Sequence, residues 1–471
     1  MMAPEPTRWA ATAWPVAVAL LGAFFMLKLP VLDLPYHWDE GGAYVTPALW
    51  LSEVGLHRVL PGWHPPSLFF GHPPGIYLGL ASLYAVFGHS IWLTHLVAIG
   101  LGGMTLYLTF RIGEAVGGTR AAIFAALLLL LDPLFFAQAG LMHGDMAVAA
   151  MGLLAVLFYL QERFTAYVAT AVVLVLAKET GLGVVGGVVA YHFFFRSDRP
   201  ARLQEAAMLA SPALALGVFF VATWLTTGRL VDNPYFEDRA LFGVSWERFR
   251  HATRWLFAEQ GRWIPTLSVA AALVALRGSF VRRELALLGL LLLPFWIAFS
   301  VLYFLPRYLL PALPALCIAA GIALNGLGQQ RRLVPFAALA AAALVFGLEV
   351  TGDHDSPGSH EVNLEYVDVV EVHRSAARWI ETNRPGARIA AAWPLRAVLK
   401  RPALGYVEGP LTVVGPGEEA DLLAWSAQGE ARNRLLVERA RREHWRVRKS
   451  FERRGKSVVI FESGAGRGRL R

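Results

Sequence analysis

The residues of this chain that can do chemistry stand in short polar stretches beside long apolar runs. They are Tyr36-His37-Trp38-Asp39-Glu40-Gly41-Gly42-Ala43-Tyr44, Gly71-His72-Pro73-Pro74, His143-Gly144-Asp145, Lys178-Glu179 and Arg307-Tyr308. Ionisable groups at membrane depth are costly and point to a functional site. The adjacent carboxylates Asp39 and Glu40 can share a hydroxyl proton or bind a cation, and Asp145 can support them. Lys178 and Arg307 suit an anionic substrate. His72 and His143, with those carboxylates, could hold a hard or borderline divalent cation, although no dense ligand spacing demands one. Each residue also has a structural reading. Asp39 and Asp145 can cap helices, and Glu40 can complement a helix dipole. Lys178 can pair with Glu179, and Arg307 can snorkel to lipid headgroups. Tyr44 and Tyr308 can sit in an interfacial aromatic belt, and the histidines can be solvated loop residues.

The elements that must position these groups are membrane helices. Of 471 residues, 56% are hydrophobic and only 17% charged, and the mean hydropathy is +0.46; a soluble chain is about a quarter charged. This excludes a soluble enzyme, a disordered protein and a disulfide scaffold. The sequence pI near 9.7 reads as arginine-rich cytoplasmic loops rather than a nucleic-acid surface. The single cysteine, Cys317, excludes an internal disulfide and a thiolate metal cluster. About eleven apolar segments are long enough, or nearly so, to cross a bilayer: 14–32, 91–112, 121–138, 146–160, 164–177, 182–195, 206–224, 263–276, 285–304, 308–324 and 333–350. The first lacks a dense basic flank and a small-residue cleavage site, so it reads as a retained signal anchor.

Orientation follows from the arginines. With a cytoplasmic N-terminus, the inner loops 111–120, 161–163, 196–204, 277–283 and 329–332 hold eleven Arg, whereas the outer loops 33–90, 139–145, 178–181 and 305–307 hold only Arg58, Lys178 and Arg307. Loop 227–262 departs with six Arg, diluted by five acids. Residues 164–195 read as a hairpin around Lys178, and 74–87 as an interfacial helix on the outer surface. After residue 350 the apolar runs stop: residues 351–471 carry 21 Lys and Arg against 16 Asp and Glu. Segment 366–383 has helical periodicity, 388–392 reads as a strand, and 445–451 with 457–461 as a hairpin across Gly455. The expected architecture is an all-α polytopic membrane domain, 1–350, followed by a small extracytoplasmic α/β domain, 351–471, with a disordered tail over 464–471. The Arg-rich stretch 432–448 reads as a solvated helix face.

Five ordered features resemble the GT-C class of membrane glycosyltransferases, in its protein-O-mannosyltransferase and aminoarabinose-transferase branch. They are Asp39-Glu40 followed by Tyr44, the His72-Pro73-Pro74 turn with its helix ending Phe87-Gly88, Asp145, the run Ala177-Lys178-Glu179-Thr180-Gly181, and the run Arg307-Tyr308-Leu309-Leu310-Pro311-Ala312-Leu313-Pro314. The resemblance covers 14–350. It implies an inverting transferase that moves a sugar from a polyprenyl-phosphate donor to a glycolipid, glycan or protein acceptor on the extracytoplasmic face of the plasma (inner) membrane. It also implies roles: Asp39, with Glu40 and Asp145, as catalytic carboxylates, and Lys178, Arg307 and Tyr308 at the donor phosphate. Glycines follow Asp39-Glu40 where some relatives carry a basic residue, which leaves the donor's sugar open. A secondary transporter or lipid flippase is the alternative from another class. Against it, the halves show no evident repeat and the polar residues gather at outer loops rather than at the midplane.

Overall fold

The computed structural model describes residues 14–196, 202–233, 243, 245–276, 282–302, 304–352, 360–428 and 433–463. Residues 197–201 and 277–281 of the expected basic loops, Arg432, and the expected tail 464–471 lie outside the described residues.

Among the described residues, fifteen α-helices precede the sheet-containing end: α1 Trp14–Lys28, α2 Thr46–Val54, α3 Gly75–Phe87, α4 Ile91–Leu130, α5 Pro133–Gln138, α6 Gly144–Leu160, α7 Phe164–Ala177, α8 Leu182–Phe195, α9 Arg202–Ala210, α10 Pro212–Thr227, α11 Trp246–Phe257, α12 Trp263–Ala275, α13 Arg282–Val301, α14 Leu313–Gln330 and α15 Leu333–Glu349. All eleven expected apolar segments fall on these helices. Among the described residues, four helices are long and apolar enough to cross a membrane, by length and composition: Trp14–Val31, Ile91–Leu130, Arg202–Thr227 and Arg283–Val301.

Two expected boundaries change. The loop expected at 111–120 is not a loop. Gly118, at φ 79°, reverses the chain inside α4, a conformation that costs glycine nothing. A Cβ on Gly113 would lie 3.0 Å from Ala122 Cα, although nine positions of unbroken helix span roughly 13 Å. The expected segment 121–138 breaks at Asp132-Pro133, because the residue before proline is pushed out of the helical region. Asp132 Oδ1 then caps α5 by accepting from Phe135 N at 2.9 Å.

Helix α14 runs through the middle of the bundle, buried at every residue from Leu313 to Leu324. It approaches α4 closely because Gly321 has no side chain: a Cβ there would meet Ala121 O at 2.3 Å. Small residues at such crossings permit the backbone approach that dispersion rewards in a bilayer. Helices α7 and α8 form the expected hairpin. Tyr159, at the end of α6, meets Tyr167 at the start of α7 (ring centroids 6.3 Å) and His192 near the end of α8 (3.3 Å). The turn between α7 and α8 therefore lies at the opposite end, beside the start of α6.

The C-terminal part is a five-stranded mixed sheet of order β2-β1-β3-β5-β4, where β1 is Ile389–Ala391, β2 Val413–Val414, β3 Leu422–Ser426, β4 Arg446–Arg453 and β5 Lys456–Glu462. Strand β1 runs parallel to β2 and β3, and β5 runs antiparallel to β3 and β4. The expected hairpin is present. Its two-residue turn, Arg454 (φ 44°) and Gly455 (φ 75°), has the left-handed pair that matches strand twist. Alternation along β1 splits the core: Ile389 and Ala391 pack with α16 (Glu365–Asn383), Ala390 and the following Ala392 with α17 (Asn433–Arg442). The first of these cores also takes in Tyr36, Val45, Ala137 and Leu141 from the helical part, so the sheet-containing unit is packed onto one end of the bundle.

Candidate functional site

That end of the bundle gathers the polar residues. Asp39 precedes a π-helical turn, Glu40–Val45, and follows Trp38, whose φ of 43° is unusual for a bulky residue. Both irregularities recur at functional sites. Asp39 makes no side-chain cap. Its Oδ2 instead lies 2.5 Å from Arg307 Nη2. Arg307 sits in the 3-10 turn Pro306–Leu309 that leads into α14. Its Nη1 donates to Glu361, and its Nε faces Asp145 Oδ2 at 3.6 Å. Asp145 stands in the first turn of α6 and accepts from Lys178 Nζ at 2.6 Å, with the ammonium over the Tyr308 ring at 4.6 Å. The structure thus brings Asp39, Asp145, Lys178, Arg307 and Tyr308 together. Capping for the two aspartates, a Lys178–Glu179 pair and a snorkelling Arg307 do not describe it.

Burial sorts these groups. The side chains of Arg307, Lys178, Asp145 and Glu361 are 5%, 5%, 1% and 3% exposed, whereas that of Asp39 is 31% exposed. Asp39 is the one of the five that solvent or a substrate reaches. Burial alone would discharge the two cations, but Asp145 outweighs it at Lys178, and Glu361 with Asp39 outweighs it at Arg307. Both are held charged, well above their ordinary range.

Glu40 has a different place. It is fully buried, with Oε1 accepting from Met142 N at 2.8 Å, Oε2 from His37 N at 3.1 Å, and His95 Nε2 3.1 Å from Oε1. It ties the Asp39 segment to the Asp145 segment and to α4, and so positions both aspartates. His72 and His143 have separate partners: His72 Nδ1 meets Glu179 Oε2 at 2.9 Å, and His143 Nδ1 meets Gln138 Oε1 at 2.8 Å. Burial acts upward on the Glu179 carboxyl, but His72 and Lys178 prevail and hold it at about 2. Burial, then Arg307, pushes His143 well below its ordinary value. The neutral ring makes its 3.7 Å approach to Glu361 something other than an ion pair. Among the described residues, no group of three or more His, Cys, Asp and Glu could hold a metal ion. The three carboxylates at Arg307 are met by protein cations. Tyr44 is buried, stacked on Tyr77 at 5.9 Å and facing His143 at 5.6 Å, an interior residue rather than a belt one.

Sequence reasoning missed Glu361, Gln138 and Trp393. Glu361 precedes α16 and was one acid among many in a charged segment. Gln138 Nε2 donates to the Glu361 carbonyl at 2.9 Å. The Trp393 ring stands edge-to-face with Trp38, centroids 6.2 Å apart, and covers Gly42 so closely that a Cβ there would fall 2.1 Å from the indole. An aromatic flanked by Ala392 and Pro394 carried no signal of this contact.

No curated protein matches the sequence. Among solved structures, ArnT from Cupriavidus metallidurans bound to undecaprenyl phosphate superposes over 97% of this chain and 99% of its own, with a TM-score of 0.62 and 18% identity. Its apo state gives 96% and 98%, 0.60 and 17%. The archaeal oligosaccharyltransferase AglB from Archaeoglobus fulgidus, in complex with an inhibitory peptide and a dolichol-phosphate, covers 86% of this chain and 65% of its own, with a TM-score of 0.51 and 11% identity. At such identities the likeness is one of fold. Residues 63–400, well over half of the chain, match the family described as "Predicted membrane protein (DUF2079)". The chain belongs to that family of membrane proteins, and its fold is GT-C-like, resembling those of ArnT and AglB.

Proposed function

We propose that this protein is an inverting glycosyltransferase that takes a sugar from a polyprenyl-phosphate carrier. The observation that carries the reading is the convergence of a part-exposed carboxylate, Asp39, with two buried cations, Arg307 and Lys178, at one end of a helical bundle. An acceptor hydroxyl attacks the anomeric carbon from the side of Asp39, and Asp39 takes its proton as the new C–O bond forms. The bond from the anomeric carbon to the phosphate oxygen breaks, and the electron pair leaves on the polyprenyl phosphate. Negative charge grows on that phosphate, so cations fixed before the reaction stabilise the transition state more than the ground state. Asp145 keeps Lys178 charged and in place. The protein cations Arg307 and Lys178 meet this charge.

The acceptor is a glycolipid, a glycan or a protein, and the carrier's tail lies among helices that cross the membrane about eleven times. The arginine asymmetry supports a plasma-membrane topology with the site and the sheet-containing unit on the extracytoplasmic face. ArnT and AglB, whose folds resemble this one, were captured with undecaprenyl phosphate and dolichol-phosphate, which supports the donor class. The test is mass spectrometry of envelope glycolipids and glycoproteins with and without the gene, followed by transfer assays with the purified protein. A lost sugar modification restored by wild type but not by Asp39→Asn supports the reading. An unchanged envelope overturns it.

A further inference from the structure

The three carboxylates around Arg307 are held with unequal firmness. Asp39 is part-exposed and approaches one end nitrogen, Nη2. Glu361 is buried and comes from a segment clipped at three consecutive residues, two by side chains from elsewhere and the third by its own side chain. Gln138 Nε2 donates to the Glu361 carbonyl at 2.9 Å, and Gln260 Nε2 donates to the Val362 carbonyl at 2.8 Å. Asn363 Nδ2 donates to the carbonyls of Glu349 and Gly352, 2.7 Å each, and Asn363 Oδ1 accepts from Glu365 N at 3.0 Å. Gln260 is itself fixed, its Oε1 accepting from Arg262, which is bound two-pronged to Asp132 at 2.7 and 3.0 Å. Glu40 ties the backbone beside Asp39, but among the described residues the Asp39 carboxylate itself is held by Arg307.

Charge adds a second asymmetry. With all groups ionised, three carboxylates and two cations leave the cluster one charge negative. A phosphate arriving beside Arg307 and Lys178 therefore meets repulsion unless one carboxylate withdraws, and only Asp39 has solvent to withdraw into. The Asp39 oxygen that accepts from Arg307 is also occupied and not free to take a hydroxyl proton. Released from Arg307, the same carboxylate becomes the base the reaction needs.

We infer that Arg307 exchanges Asp39 for the donor's phosphate while Glu361 holds the guanidinium in place, so that arrival of the donor frees the base. This rests on the transferase reading given above. Glu361 is then a positioning residue: it touches Arg307 and not the substrate. An empty site keeps its base masked, which protects the carrier-bound sugar from water until the donor is seated.

The experiment is equilibrium binding of sugar-free undecaprenyl phosphate to the full-length protein in lipid nanodiscs, with melting temperature measured alongside. The variants are Asp39→Asn, Glu361→Gln and Glu361→Asp. Asp39→Asn is expected to bind about tenfold tighter than wild type, the scale of one charge-assisted hydrogen bond no longer competing. Glu361→Gln is expected to bind about tenfold more weakly, and Glu361→Asp to recover part of the loss, which a purely structural role would not produce. If Glu361→Gln fails to fold, the Asp39→Asn arm decides alone. Wild-type binding with no gain in Asp39→Asn overturns the exchange and leaves the transferase reading standing. Absence of binding by wild type overturns that reading, and the exchange with it.

Discussion

Arg307 Nη2 lies 2.5 Å from Asp39 Oδ2 although 268 positions separate the two residues. Asp39 precedes a π-helical turn after the first helix, and Arg307 lies within the 3-10 turn before the buried α14. Their contact makes one site of what the chain delivers as two distant loops.

Asp39 is expected to carry the proton transfer. Asp39→Asn keeps the side chain's size, removes its charge and should lower transfer by about 10²–10⁴-fold, the usual contribution of a positioned base. The melting temperature should change little, because Asp39 makes no cap and Arg307 keeps Glu361. Glu53→Gln, an exposed acid nearby, should be silent. Transfer at wild-type rate by folded Asp39→Asn removes the assignment.

Lys178 and Asp145 should behave as a buried pair. Asp145→Asn leaves the ammonium enclosed without its nearest carboxylate, at an expected cost of about 3–5 kcal/mol. Adding Lys178→Met removes the stranded charge and should return most of that stability while abolishing transfer. Thermal unfolding of the two variants separates the effects. A double variant no more stable than the single one contradicts the pairing.

Gly42 should tolerate no side chain. A Cβ would stand 2.1 Å from the Trp393 indole, so Gly42→Ala must displace that ring, at about 1–3 kcal/mol for an overpacked contact. Trp393→Ala in the same chain should relieve the clash. Gly79→Ala in α3, with nothing within 4 Å, is the control and should not destabilise.

Acid should loosen the sheet-containing unit in two windows. Burial holds His373, beside Ser426 Oγ at 2.8 Å, at about 3 against an ordinary 6.5. The unfolded chain therefore binds more protons between those values, so this stability is whole above about pH 6.5 and is lost as pH falls toward 3. At Glu365 burial acts upward, but His360 and Lys456 prevail and hold the carboxyl at about 2 against 4.5. This adds a loss of the same sign between those values. His373→Gln should flatten the fall in melting temperature between about pH 6.5 and 4.5 and leave the steeper loss below it. An unchanged profile counts against a neutral buried His373.

The sequence by itself determined the helices and the ionisable residues worth watching. Apolar runs of this length form helices in any membrane context, because an unpaired backbone has no water to turn to, and helices cover most of each of the eleven segments. Asp39, Asp145, Lys178 and Arg307 were legible because a charge beside such a run is conspicuous. The hairpin of β4 and β5 was legible from alternation around Gly455, whereas β2, two residues long, and β3, buried at four of its five residues, gave no alternation to read. What only the tertiary structure decided is which charges meet. Glu40 and Asp39 are neighbours in sequence, yet one is held in the interior by two backbone donors beside the His95 ring and the other faces Arg307. Glu361, in a segment where acids are common, becomes a partner of Arg307 because Gln138 and Gln260 fix its backbone. Gly118 reads as one more loop glycine until the packing of Gly113 on Ala122 shows the chain reversing there. Local pattern encodes what a segment buries. The pairing of buried charges depends on which segments arrive at the same place, and long-range packing sets that.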